Sequence, residues 1–151
     1  MKINIYTIEK KSTDEFSKII TNQKKMIQKY AQVEEICCFN KKISAAQNRD
    51  AIIAKASYTE AFTPYLKGYN IALHPAGKEI NSFEFSENFD ITTSVNFFIA
   101  GAYGFDECFL KKVNQVVSLS KLTFSHKIAK VVLFEQVYRS LTILNNHPYH
   151  K

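Results

Sequence analysis

The stretch "TILNNHPYHK", residues 142–151, puts two imidazoles, a phenol and an ammonium within five positions, as His147, Tyr149, His150 and Lys151. Imidazoles move protons near neutral pH, a tyrosine ring stacks or donates a hydrogen bond, and a lysine attracts anions. Chain ends made of small polar residues fray, whereas here Pro148 restricts the backbone between two of the loaded positions. Tyr149 and His150 therefore admit two readings of equal weight, a part in chemistry or docking that orders the segment. For His147, capping the carbonyls of a preceding helix is the favoured reading. Arg139 either reaches phosphate or base, or pairs with an acid.

Composition bounds what those groups can serve. A chain of 151 residues, 46% hydrophobic, suits one domain, 1–151, with a real core. No apolar run reaches the length of a membrane span and "MKINIYTIEKK" lacks a leader pattern, so a cytoplasmic protein is expected. Lysine and arginine number 20 against 14 acids, a net charge of +6. Only Arg49 and Arg139 are arginines, so the excess suits diffuse attraction to phosphates over forked base reading. RNA or DNA fits as a partner, and so does a merely solvated lysine-rich face. Cys37, Cys38 and Cys108 form no disulfide framework and show no CxxC spacing, so neither a structural disulfide nor a metal is expected.

The elements that must position these groups follow from periodicity. "KINIYTI" alternates as a strand, Ser12 and Glu15 have the spacing of a capping box, and a helix follows from Thr13 to Ala31. "VEEICCFN" reads as a second strand. An Ala-rich helix runs from Ser44 to Phe62 and stops at Pro64, and "YNIALH" is a third strand ending at "PAGK". Asn81 and Glu84 cap a short helix. "VNFFIAG" is nearly all apolar, as in a strand buried on both faces, and leads to a helix through Phe109 and Leu110. "QVVSLS" is the fifth strand. The last helix, Ser125 to Asn145, carries an apolar arc too broad for one partner, which suggests a sheet on one side and a second subunit on the other.

This alternation predicts an α/β domain with a mainly parallel sheet and helices on both faces, its ligand site beyond the carboxyl ends of the strands. Three loops lie there: "ALHPAGK", "IAGAYG" and "SLSKLTF". None has GxGxxG or GxxxxGK[ST] spacing, which argues against a nucleoside triphosphate. Taken singly, each loop reads as an ordinary turn or helix cap.

Taken together they carry a resemblance. "FFIAGAYG", "SLSKLTFSH", "EQVYR" and the terminal "PYHK" stand in the order of the bacterial RlmH family's F-x-I-G-G-x-x-G, L-S-x-S-x-M-T-x-P-H, E-Q-x-Y-R and P-Y-H-[KR] motifs, and "LHPAGK" is similar to its L-D-x-x-G-K loop. The likeness is dense from Phe97 onward and weaker before Tyr69. It implies a SPOUT-type fold with a C-terminal trefoil knot, and an enzyme that moves the methyl of S-adenosylmethionine to N3 of a pseudouridine in 23S rRNA of the large ribosomal subunit. By position, Leu73, Ala100, Gly101, Gly104, Leu119, Ser120, Lys121, Leu122, Thr123 and Phe124 would hold the donor. Tyr149, His150 and Arg139 would be catalytic, and His147 and Lys151 would contact RNA. A homodimer is implied, because SPOUT sites are completed by a second subunit, and no metal is.

The chain departs from those motifs at His74 for aspartate, Ala100 for glycine, Leu122 for methionine and Ser125 for proline. An alanine at 100 is harmless at negative φ and strained at positive φ. Two other readings stand beside it: a non-catalytic basic RNA-binding module of the same fold with a degenerate pocket, and a flavodoxin-like protein holding a small molecule.

Overall fold

A computed structural model describes residues 1–151. The strands are β1 (Lys2–Thr7), β2 (Gln32–Cys37), β3 (Tyr69–Glu79), β4 (Ser94–Ile99) and β5 (Gln115–Ser118). The helices are α1 (Glu15–Ile27), α2 (Lys41–Gln47), α3 (Ala51–Phe62), α4 (Ser82–Glu87), α5 (Glu107–Leu110) and α6 (His126–Leu144). All five strands are parallel, in the order β2-β1-β4-β3-β5. No helix is long and apolar enough to cross a membrane.

Alternation along each strand sends side chains to two cores. Ile3, Ile5, Ile71, Phe97 and Val117 face α1, α4 and α6, while Tyr6, Ala72 and Phe98 face α3 and α5. Burying phenylalanines and isoleucines as completely as Phe97, Phe98, Ile3 and Ile5 contributes on the order of 1.5–3 kcal/mol each. β4 lies between β1 and β3 and is buried from Val95 to Ile99, as its nearly all-apolar run predicts. One polar rung crosses it: Asn4 Nδ2 donates to Asn96 Oδ1 at 2.8 Å, and Asn96 Nδ2 to Asn70 Oδ1 at 3.1 Å. These three residues are partners in the strand register, so a one-residue slip would leave three buried amides without partners.

Four sequence expectations need correcting. Ser12 and Glu15 do not form the capping box at α1; Asp14 is the cap, its carboxylate accepting from the Ser17 N–H at 3.0 Å. The helix expected over 44–62 is two helices. Asp50 caps α3 by accepting from the Ile53 N–H at 2.8 Å, so a cap inside the Ala-rich run restarts the chain. β3 does not stop before "PAGK" but continues through it with a bulge. Leu73 and Lys78 both pair with Val117, and Gly77 sits where a Cβ would lie 2.7 Å from the Val116 carbonyl oxygen. Finally, the broad apolar arc of α6 is largely covered within the chain, because α1 and α4 flank it on the sheet. Ser140 and Thr142 are fully buried as well, their hydroxyls donating back to Gln136 and Arg139 carbonyls, while Ile128 and Leu144 stay 39% and 38% exposed.

Asn81 and Glu84 form the expected reciprocal capping box on α4. Burial lifts the Cys38 thiol to about 11 and also raises Cys37, so neither is a reactive thiolate.

Candidate functional site

Beside the bulge of β3 and beyond the carboxyl ends of β4 and β5 lies a cavity of about 490 Å³. The bulge, the loops after β4 and β5, and the first turn of α6 line it. The β4 loop is shaped by its glycines. Gly104, at φ +77°, closes a turn by donating its N–H to the Gly101 carbonyl at 3.0 Å, and Phe105 then anchors the loop by stacking on Phe109 at 5.1 Å. Gly101 is held for space: a Cβ there would stand 2.6 Å from the hydroxyl of the fully buried Tyr58. Serines shape the β5 loop, with Ser118 Oγ donating to the Ser120 carbonyl at 2.8 Å and Ser120 Oγ accepting from the Leu122 N–H at 3.0 Å.

Leu73, Ala100, Gly101, Gly104, Leu119, Ser120, Leu122, Thr123 and Phe124 all line this cavity. Lys121 does not; its side chain is 87% exposed and faces Glu79 at 4.0 Å. Ala100 has negative φ and is buried in the core against α3 and α5, so the extra methyl brings no backbone strain. Ser125 caps α6, its Oγ accepting from the Ile128 N–H at 3.4 Å, and so takes over a helix-starting role at the position of the motif's proline. His74 sits in the β3 bulge and mimics the turn an aspartate makes there, its Nδ1 accepting from the Ala76 N–H at 3.1 Å.

The 147–151 segment lies elsewhere. Asn146, at φ +52°, ends α6 in a Schellman motif in which the backbone N–H of His147 donates to Thr142 O at 2.9 Å and that of Asn146 to Ile143 O at 3.1 Å. The His147 side chain is exposed, as is Lys151. Tyr149 packs edge-on against Tyr138 and lies over the Arg139 guanidinium at 4.8 Å, with its hydroxyl donating to Glu135. Burial and that hydrogen bond raise the Tyr149 pKa, away from a tyrosinate. Arg139 Nη1 lies 3.2 Å from His150 Nδ1. Within one chain the loaded tail is docked on α6 and on Phe83 of α4, not over the cavity.

The family profile described as "Predicted SPOUT methyltransferase" matches residues 1–150. The chain belongs to the SPOUT methyltransferase family. Relatives named ribosomal RNA large subunit methyltransferase H agree with this SPOUT methyltransferase end to end. That of Aliarcobacter butzleri is 52% identical, and that of Campylobacter lari 48%, each over 151 residues and all of both chains. One from Campylobacter jejuni is 50% identical over the same span.

S-adenosylmethionine, the methyl donor of such enzymes, suits this cavity by size and lining. Ligand cavities run to about 300–1,000 Å³. No lysine, arginine, aspartate or glutamate lines this one, so it offers apolar faces and backbone groups to a nucleoside and no cation cluster to a polyphosphate. Sequence reasoning named the loops but left further contributors out of the donor site in this SPOUT methyltransferase, Tyr103, His126 and Ala129 among them. Tyr103 lines the cavity with its hydroxyl 3.4 Å from the Gln47 carbonyl, and His126 and Ala129 bring the start of α6 into the wall. The helical period places His126 and Ala129 on one face, a signal visible once α6 is known to begin at the site. Glu9, Glu35 and Cys37 bring three potential ligand atoms within 4.8 Å of one another, but the Lys130 ammonium already bridges the two carboxylates.

Proposed function

We propose that this enzyme transfers the methyl of S-adenosylmethionine to N3 of a pseudouridine in 23S rRNA, acting as a cytoplasmic homodimer on the large ribosomal subunit or the assembled ribosome, without a metal. The single observation that carries the reading is convergence. Segments from β3, β4 and β5 that match the RlmH motifs at separated positions build one cavity without lysine, arginine, aspartate or glutamate. The trefoil knot expected of SPOUT enzymes belongs to the same reading.

Bound there, S-adenosylmethionine supplies an already electrophilic methyl, so much of the protein's work is alignment. Ala100, Leu119 and Phe124 would flank the adenine and exclude water, while backbone groups of the β4 and β5 loops orient it. The pseudouridine N3 carries a hydrogen that must leave for its lone pair to attack. His150 or Tyr149 would take part in that step and Arg139 would favour the anionic base, which requires the tail's present partners to be exchanged for RNA. Distance argues for a second subunit. The tail is held at Glu135, six residues beyond cavity-lining Ala129 and so about 9 Å along α6 from the cavity wall. Leu122 and Phe83, 72% and 58% exposed, are large apolar groups available to such an interface.

Ribosomal particles from a strain lacking the gene, mixed with enzyme and radiolabelled donor, test this. Label should enter 23S rRNA in particles and scarcely at all in a naked stem-loop, and robust turnover on the isolated stem-loop would contradict the folded-surface target. Donor binding by calorimetry separates the enzyme from the non-catalytic RNA-binding module: no heat at high protein concentration would leave only the latter.

A further inference from the structure

Five ionisable side chains form an unbranched series from the cavity wall into the protein. His126 Nε2 stands 3.4 Å from Glu9 Oε2, and Glu9 Oε1 pairs with Lys130 Nζ. Lys130 also donates to Glu35 Oε1 at 2.6 Å, and Lys24 to Glu35 Oε2 at 2.8 Å. The series joins α6 to the segment after β1, then to β2 and α1. Glu9 and Lys130 are 8% and 7% exposed. Burial works against the charged forms, yet the hydrogen bonds win: Glu35 is held below its ordinary value and Lys130 above its own.

We infer that Glu9, forked between Lys130 and His126, is a positioning residue that sets the cavity wall at the start of α6 and thereby the affinity for the methyl donor. The inference rests on the proposed donor site. A buried ion series is a poor way to gain stability, since apolar side chains of similar volume do as well or better; what it supplies is fixed geometry. The geometry fixed here is that of the site. His126 lines the cavity and Lys130 lies one turn further along the same helix, next to cavity-lining Ala129. The same segment also reaches the cavity floor, because the Ile8 N–H donates to the carbonyl of cavity-lining Ile99 at 3.3 Å.

Glu9→Gln is the test, since it keeps the volume and leaves Lys130 paired with Glu35. Calorimetry with S-adenosylmethionine should show affinity weakened roughly tenfold, with turnover at saturating donor on ribosomal particles within about threefold of wild type. His126→Asn should weaken donor affinity as well, and the double variant should bind no more weakly than the worse single by more than about twofold, because the two act as one unit. Equal affinity in Glu9→Gln and wild type, or additive losses in the double variant, overturns the inference. Should Glu9→Gln fail to fold in a thermal melt, Glu9→Gln with Lys130→Met removes the buried positive charge left in excess and carries the same comparison. If the wild type itself binds no donor, the proposed site fails, a result distinct from failure of the positioning role.

Discussion

The Tyr149 hydroxyl donates to a Glu135 carboxylate oxygen at 3.1 Å, the same oxygen that receives Arg139 Nε at 3.0 Å and Nη2 at 2.5 Å. One acid thus holds two of the groups expected at the reaction centre, and holds them on the helix of their own chain, apart from the cavity. A docked tail of this kind is either a resting arrangement or the arrangement presented to a second subunit.

Removing residues 149–151 should therefore abolish methyl transfer while leaving donor affinity within about twofold, since no tail residue lines the cavity. Mixed dimers sharpen the point. Ala102→Trp fills the cavity mouth from an exposed loop position, and co-expressing it with the truncated chain should restore transfer from one site per mixed dimer. Absence of recovery would assign the tail to its own chain's cavity.

Two glycines in one loop should respond differently to alanine. At Gly101 the new methyl meets Tyr58, which Gln47 holds through a 2.5 Å hydrogen bond, so overpacking should cost about 1–3 kcal/mol and displace the loop, with loss of donor binding. Gly104→Ala enters open space and suffers only from φ +77°, about 1–2 kcal/mol, with donor binding retained. Thermal melts and calorimetry on both variants check this, and equal donor binding by the two would contradict the space argument.

Acid should weaken the fold in two separate windows. Burial, with a smaller contribution from Lys55, lowers the His74 pKa from 6.5, so the unfolded chain takes up a proton that the native state refuses; stability falls as pH drops below 6.5. His74→Asn, which can still accept from Ala76, should flatten that slope. Asp14, bonded by Lys127 and the Ser17 N–H, is lowered from 3.8 to about 2. Its contribution is complete above 3.8 and disappears as pH falls through about 2, and Asp14→Asn should remove that acid-side dependence. Urea titrations across pH measure both.

What sequence could say here followed the range of each signal. The nearly all-apolar run at 95–99 identified the doubly buried central strand, and Asn81 with Glu84 identified the short helix, because both signals are local. The break between α2 and α3 was hidden, since alanines on both sides of Asp50 carry helical periodicity straight through it. The β3 bulge was read as a loop because Pro75 and Gly77 are turn residues, and only pairing with Val116 and Val117 makes them strand. Motif positions brought the cavity loops together correctly, with Lys121 turned outward. Glu9 and Lys130 lie 121 residues apart, and no local pattern announces such a pair.

The most direct measurement is primer extension on 23S rRNA from cells with and without this gene. A methyl on N3 blocks Watson-Crick pairing, so reverse transcriptase should stop at the modified pseudouridine in wild type, read through in the deletion, and stop again when the intact gene is returned. A stop that persists in the deletion would contradict the substrate assignment.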